Sequence, residues 1–239
     1  MTILSLQNVS KSFGSLKVTE DVTFDVPQGQ ALGIIGPNGA GKSTLFNLIT
    51  GNLTSDAGTI RFLGEEVTRT SAMQRCLSGI GRSFQIPQPF EKLTVFENLV
   101  VAGAFGRDTT ERDVTAICAD VLERTGMIAR ANTPAGQLSL LERKRLELAR
   151  AMATGPKLLL LDEIAGGLTD AECKSLIQTI QEIHAEGVTI IWIEHVLHAL
   201  TSVVERLLVL DFGRVIGIGD PAAIMDSREV KEIYLGINV

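Results

Sequence analysis

Apolar residues recur with two different rhythms along the chain. Residues 3–9 and 18–26 alternate apolar and polar positions, as at Val22, Phe24 and Val26, and predict half-exposed strands of an antiparallel sheet. Ala57 to Gly64 reads as a further edge strand between turns. Ala31 to Ile35 and Leu158 to Leu161 are instead continuous apolar runs, as in strands buried on both faces of a mostly parallel sheet. Val188 to Ile193, Arg206 to Leu210 and Val215 to Ile218 add three more strands, the last two joined by a hairpin turn at Asp211 to Arg214. Helical spacing appears near 94–105, 110–125, 140–153 and 170–186, the last with Leu176, Ile177 and Ile180 on one side. A short helix at 197–202 and a helical tail from Pro221 to Leu235 complete the α/β pattern.

The order of these elements implies an insertion. The apolar strand that ends in Asp162-Glu163 follows Ala31–Ile35 much later than a single βαβ unit of about 30 residues allows. Residues 87–155 fit as an inserted helical subdomain, opened by the breakers Pro87 and Pro89. Residues 1–86 and 156–239 then form the core of a single domain spanning 1–239.

Composition narrows the class. A 45% hydrophobic content suffices for a packed interior, and the net charge of −6 argues against a nucleic-acid surface, which needs a basic stripe. Cys76, Cys118 and Cys173 share no ligand spacing and read as reduced thiols. Met1 to Ser5 shows no signal-peptide pattern, and no apolar run approaches the roughly 20 residues a bilayer span requires. Any membrane role would come through a partner.

The chemistry concentrates at Gly36 to Thr44, GPNGAGKST. It follows a buried strand and opens a helical stretch from Leu45 to Ile49 that Gly51 stops, the context in which G-x-x-x-x-G-K-[ST] holds phosphate. Glycines let backbone N–H groups curl around a polyphosphate, and the helix N-terminus adds a favourable dipole. Lys42 would reach the β- and γ-phosphates, and the Ser43 hydroxyl would ligate Mg²⁺. Asp162 ends the second apolar strand in the pattern known as Walker B, placed to hold Mg²⁺ through water. Glu163 follows at the strand's C-terminal edge, where such sheets place ligands. As general base it would orient water on the γ-phosphate; the plain alternative is a solvated carboxylate at a loop start. His195 also follows a strand, whereas His184 and His198 have no such placement. Trp192 lies mid-strand and reads as core. Ser139-x-x-Glu142 reads as a capping box that opens a basic amphipathic helix.

In this order and spacing the landmarks resemble the ATP-binding subunit of ABC transporters over nearly the whole chain. The resemblance implies a P-loop NTPase core with an antiparallel β subdomain and an inserted α-helical subdomain. Gly36, Asn38, Gly39, Ala40, Gly41, Lys42, Ser43 and Thr44 would bind ATP. Phe13 would stack on adenine or, equally, pack as a turn residue on the sheet. Gln85 matches the glutamine that senses Mg²⁺ and the attacking water, and His195 the histidine that contacts the γ-phosphate. Glu163, His195 and Gln85 would form the catalytic set, with Ser43, Gln85 and Asp162 around Mg²⁺.

Ser139, Leu141 and Glu142 occupy the signature stretch, which acts on the opposing subunit's nucleotide. That stretch departs from the family's pattern. Leu140, Leu141 and Glu142 stand where two glycines and a glutamine are usual, Thr169 replaces a common Asp or Asn, and Ile164 a common proline. Glu142 would bring a carboxylate near the nucleotide unless it folds back onto Ser139. A finer resemblance is to branched-chain amino acid uptake subunits, carried by Phe84-Gln85, Phe90 to Asn98, Arg145 to Ala151, Ala165 to Leu168 and the ending Val230 to Gly236. It implies a peripheral subunit on the cytoplasmic face of the cell membrane. Its partners would be permease subunits, a second ATPase subunit (non-identical, or a homodimer) and, through the complex, a substrate-binding protein. Urea or amide import is the neighbouring alternative. A non-hydrolysing regulatory subunit and a soluble ABC protein of repair or translation are the rivals; the latter usually carry tandem cassettes, coiled-coil insertions or basic arms, all missing from the sequence.

Overall fold

The computed structural model describes residues 1–107 and 110–235; Gly236, the last of the hallmark positions, lies outside them. Two sheets organise the chain. The antiparallel sheet has the order β2-β1-β4-β5, formed by β1 (Thr2–Phe13), β2 (Leu16–Pro27), β4 (Ala57–Phe62) and the two-residue β5 (Glu65–Glu66). The central sheet has the order β10-β9-β3-β8-β7-β6, built from β3 (Ala31–Ile35), β6 (Ile80–Arg82), β7 (Leu158–Asp162), β8 (Thr189–Ile193), β9 (Arg206–Asp211) and β10 (Arg214–Gly219). Its pairings are parallel except for the β9–β10 hairpin.

The continuous apolar runs follow from burial on both faces of this sheet. Ala31, Ile35, Leu159, Leu161, Ile190, Trp192, Leu207 and Val209 pack into one core. Their neighbours Leu32, Ile34, Leu158, Leu160, Ile191, Ile193, Leu208 and Leu210 pack into the other. The second core also takes in α1 (Lys42–Thr50) and the inner face of the antiparallel sheet. The first takes in α3 (Val95–Gly106), α4 (Glu111–Arg124), α5 (Leu140–Ala153), α6 (Asp170–Ala185) and α7 (Leu197–Thr201). The three helices α3, α4 and α5 lie in sequence between β6 and β7. The tail is helical, as α8 (Pro221–Asp226) and α9 (Arg228–Leu235).

Two local features depart from the sequence reading. β1 and β2 run past the alternating segments, because register shifts between Leu6 and Val9 and between Val9 and Lys11 disrupt the period of two without ending the pairing. Phe13 therefore ends a strand, and the turn is at Gly14-Ser15. Residues 72–78 form a helix, α2 (Ala72–Ser78), that periodicity does not reveal. It is too short for a clear stripe, yet Ser71 and Gln74 make a full capping box and Gly79 closes it, a start signal present in the sequence.

Candidate functional site

The loop from Gly36 joins β3 to α1 and cannot take side chains at its tight points. A Cβ on Gly36 would lie 2.1 Å from the Leu210 carbonyl oxygen, and one on Gly41 would lie 2.4 Å from that of Val18. Gly41 also has φ of 100°, a conformation that favours glycine. Gly41 is the N-cap of α1 and makes no side-chain cap, so the first N–H groups of this nine-residue helix stay available to an anion. Lys42 is buried and donates to the carbonyl oxygens of Gly36 at 2.7 Å and Pro37 at 3.0 Å. Burial lowers its pKa, against the raising charges of Glu163 and Asp162.

Asn38, Gly39, Gly41, Lys42, Ser43, Thr44 and Glu163 line one cavity of about 200 Å³. Ser43 and Asp162 also line an adjoining cleft of about 440 Å³ that runs past Arg82 to Gln85. Asp162 is buried and paired with Arg82, whose Nη2 lies 2.6 Å from Oδ2. Arg82 also donates to Asn47 Oδ1 at 2.7 Å and lies over the rings of Phe46 and Phe84. Periodicity could not assign this arginine, because β6 is three residues long and its partner strand is far along the chain.

Glu163 is held at both oxygens. Gln85 Nε2 donates to Oε2 in a very short contact, and Oε1 lies 3.0 Å from His195 Nε2. Its backbone has φ of 46°, an uncommon conformation for a side-chain-bearing residue and one that marks functional positions. Its N–H donates to the Ile193 carbonyl at 2.8 Å, and Lys144 Nζ from α5 donates to its own carbonyl at 3.3 Å. Three residues distant in sequence thus meet at one carboxylate.

Glu194 is a further site residue that the sequence reading passed over. It is buried, and its carboxylate accepts from the backbone N–H groups of Ala165, His195 and Val196. It ties the segment after Glu163 to the one carrying His195. Its signal in the sequence is an acidic residue directly after the apolar run 190–193.

The remaining residues lie elsewhere. Phe13 is half-exposed at the end of β1, with Lys11 Nζ 5.7 Å from its ring centroid, and it does not line the loop cavity. Ser139 caps α5, accepting from the Glu142 N–H, while Glu142 Oε2 accepts from the Ser139 N–H at 2.9 Å and Oε1 from Arg130 at 2.6 Å. Of the two placements open to Glu142, the chain adopts the folded-back one. The Ser139 backbone bond is the main cause of its lowered pKa. Leu141 is partly buried against the core, whereas Leu140 is 46% exposed. Thr169 caps α6 in a box with Glu172.

A phosphate cradle at the C-terminal end of a buried parallel strand, with a carboxylate pair at the C-terminal end of β7 two strands away, defines a P-loop nucleoside triphosphatase. Residues 19–166 match the family described as ABC transporter. The chain is 34% identical to the high-affinity branched-chain amino acid transport ATP-binding protein BraF of Pseudomonas aeruginosa, covering 98% of each. It is 32% identical to the lipopolysaccharide export system ATP-binding protein LptB of Haemophilus influenzae, over 99% of this chain and 98% of that one. A nucleotide-free ATP-binding cassette from an ABC transporter superposes with a TM-score of 0.91 at 30% identity, covering 99% of this chain and 100% of that chain. A cassette in its ADP conformation superposes with a TM-score of 0.90 at 32% identity, over 99% and 100%. The chain belongs to the ABC transporter ATP-binding family and is an ATPase subunit that uses ATP with Mg²⁺.

The donor set suits that nucleotide. The glycine cradle, the free helix N-terminus and the Lys42 ammonium are matched to a polyanion. Among the described residues no cluster of three or more His, Cys, Asp or Glu stands ready to hold a metal. Ser43 and Asp162 supply two oxygens, so a Mg²⁺ ion there would take its remaining ligands from phosphate and water. No helix among the described residues is long and apolar enough to cross a membrane.

Proposed function

We infer that this subunit binds ATP in the loop Gly36–Thr44, hydrolyses it with Glu163 as general base, and powers uptake of branched-chain amino acids or a related small solute. The observation that carries the catalytic part is the Glu163 carboxylate, held by Gln85 and His195 on the wall of the cavity that Lys42 and Ser43 line. Lys42 exchanges the Gly36 and Pro37 carbonyls for the β- and γ-phosphates. Ser43, Asp162 and Gln85 would hold Mg²⁺, which would supply charge neutralisation and in-line orientation. Glu163 accepts the proton of the attacking water, Gln85 orients that water, and His195 contacts the γ-phosphate. Phe13 offers its exposed face to the adenine ring.

Replacing Glu163 by Gln keeps the shape and removes the base. The variant should bind ATP with near wild-type affinity and turn over at least about a hundredfold more slowly, in line with the usual loss of a general base. Near wild-type turnover in the assembled transporter would overturn the role of Glu163.

Uptake is supported by the named roles of BraF and of LivG from Escherichia coli, the latter 32% identical over 98% of each chain. The subunit would lie on the cytoplasmic face of the membrane, docked on permease subunits that receive cargo from a substrate-binding protein. It pairs with a second ATPase subunit across two ATP molecules, each facing the partner's signature stretch. LptB favours a second reading, export. Vesicles carrying the complex, loaded with ATP and offered labelled leucine, distinguish the two. Accumulation of leucine supports uptake; ATP-driven release of lipid without uptake overturns it.

A further inference from the structure

Helix α5 begins in the signature stretch, yet its buried face reaches back to both partners of the Gln85–Glu163 contact. Glu147 is only 6% exposed, although a charged carboxylate is costly to bury unless its oxygens are satisfied. It lines the same cleft as Phe84, Gln85 and Gln88, and the backbone N–H groups of Phe84 and Gln88, on either side of Gln85, favour its charged form. Arg150, one turn further along α5, lies 3.0 Å from the same carboxylate. Its Nη1 also donates to the Gln88 carbonyl at 3.0 Å, and its guanidinium lies over the Phe90 ring. Lys144, three residues before Glu147 on the same face, is buried and donates to the backbone carbonyl of Glu163. Burial pushes the Glu147 carboxyl above the usual range, while Arg150 and the two N–H groups act against that shift.

We propose that Glu147 is a positioning residue: from the signature helix it fixes Arg150, and through it the Phe84–Gln88 segment, so that the Gln85 amide stays on Glu163. The segment has no regular structure of its own. Residues 83–90 are neither helix nor strand, and Pro87 and Pro89 cannot donate to neighbours. The charge-assisted bond from Arg150 to the buried Glu147 carboxylate, continued by Arg150 to the Gln88 carbonyl, is therefore a main restraint on where Gln85 points. Lys144 anchors the other side of the contact to the same helix, so a rigid displacement of α5 moves Gln85 and the Glu163 backbone together. Loss of Glu147 uncouples them. The proposal rests on the reading that Gln85 serves hydrolysis.

The test uses the full chain and two substitutions, Glu147→Ala and Glu147→Gln. Backbone hydrogen exchange of the nucleotide-free protein reads the restraint without any chemistry. In Glu147→Ala, peptides covering 83–90 should exchange faster by a factor on the order of ten or more, the size expected for losing bonds to a charged group. Peptides in α1, β7 and the first turn of α5 should keep wild-type protection. Glu147→Gln retains a carbonyl acceptor and should fall between the two. In the assembled transporter, Glu147→Ala should lower kcat about tenfold or more with KM for ATP changed less than about threefold, as expected when positioning and not ground-state binding is lost. Unchanged exchange at 83–90 overturns the restraint, and a rise spread over the whole chain overturns it in favour of a merely structural role. Gln85→Ala separates the layers. If it slows turnover while Glu147→Ala does not, the positioning proposal is wrong; if neither slows turnover, the role read for Gln85 is what fails, and the proposal falls with it.

Discussion

Lys42 shows how function sets a cost on a single residue. Its ammonium is buried among backbone carbonyls before any phosphate arrives, and desolvation lowers its pKa. A lysine whose folded pKa lies below its unfolded value binds fewer protons folded than unfolded. It therefore weakens the fold at neutral pH, and that penalty fades as pH rises through the folded pKa towards the unfolded one. Lys42→Met removes the penalty along with the phosphate contact. Without nucleotide the variant should melt no lower than wild type, and it should lose the rise in melting temperature that Mg·ATP confers on the parent. A retained ATP-dependent rise in a thermal scan would remove Lys42 from the phosphate site. Glu163 is the companion case, a side chain in a backbone conformation usually left to glycine, kept there by its own N–H on Ile193 and by the groups that hold its carboxylate.

At the scale of elements, the P-loop helix depends on a residue outside it. The last turn of α1 leaves carbonyls without helical partners, and buried Arg75 of α2 supplies donors. Its guanidinium bonds the carbonyls of Leu48 and Ile49 at 2.6 and 2.9 Å, and those of Thr68 and Thr70 at 3.1 and 3.3 Å. Burial pushes its pKa down to about 10, so it stays charged throughout the physiological range. The cation stands at the C-terminal end of a helix whose N-terminus faces the phosphate site, the favourable sense of the helix dipole. Arg75→Ala would orphan several buried carbonyls and should cost about 3 kcal/mol or more in chemical unfolding. Arg75→Lys, which lacks the planar fork, should recover only part of it. A loss under about 1 kcal/mol for Arg75→Ala would show that water replaces the guanidinium at no net cost.

At the scale of the whole molecule, the proposed signature stretch, with its leucines, contrasts with the intact phosphate loop. Glu142 is turned back onto Ser139 and Arg130, so its charge is spent within the chain. Leu140 remains half-exposed beside Gly167, at a position where the family resemblance implies a glycine that permits close approach to a nucleotide. The side chains at Leu140 and Leu141 thus support a working pair with a non-identical ATPase subunit that carries an ordinary signature. Sedimentation of Glu163→Gln with Mg·ATP tests this: the chain alone should stay mostly monomeric, and a tight ATP-dependent homodimer would overturn the asymmetry.

Much of this was legible in the chain itself, because the relevant signals are local. GPNGAGKST needs a strand before it and a helix after it, and the flanking residues supply both; the apolar runs and capping boxes likewise declare strands and helix starts from a few neighbouring side chains. Burial on both faces of a parallel sheet wrote Leu158 to Leu161 as continuous leucine, while the short β6 and α2 left too few positions for any period to show. What the tertiary structure alone decided are the meetings across long separations: Gln85 and His195 on Glu163, Arg82 on Asp162, Arg75 on the end of α1, and Arg150 on the Gln88 carbonyl. Each joins polar groups that are unremarkable in isolation. Only folding removes enough water around them to make an unpaired carboxylate, guanidinium or carbonyl costly, and so selects their partners.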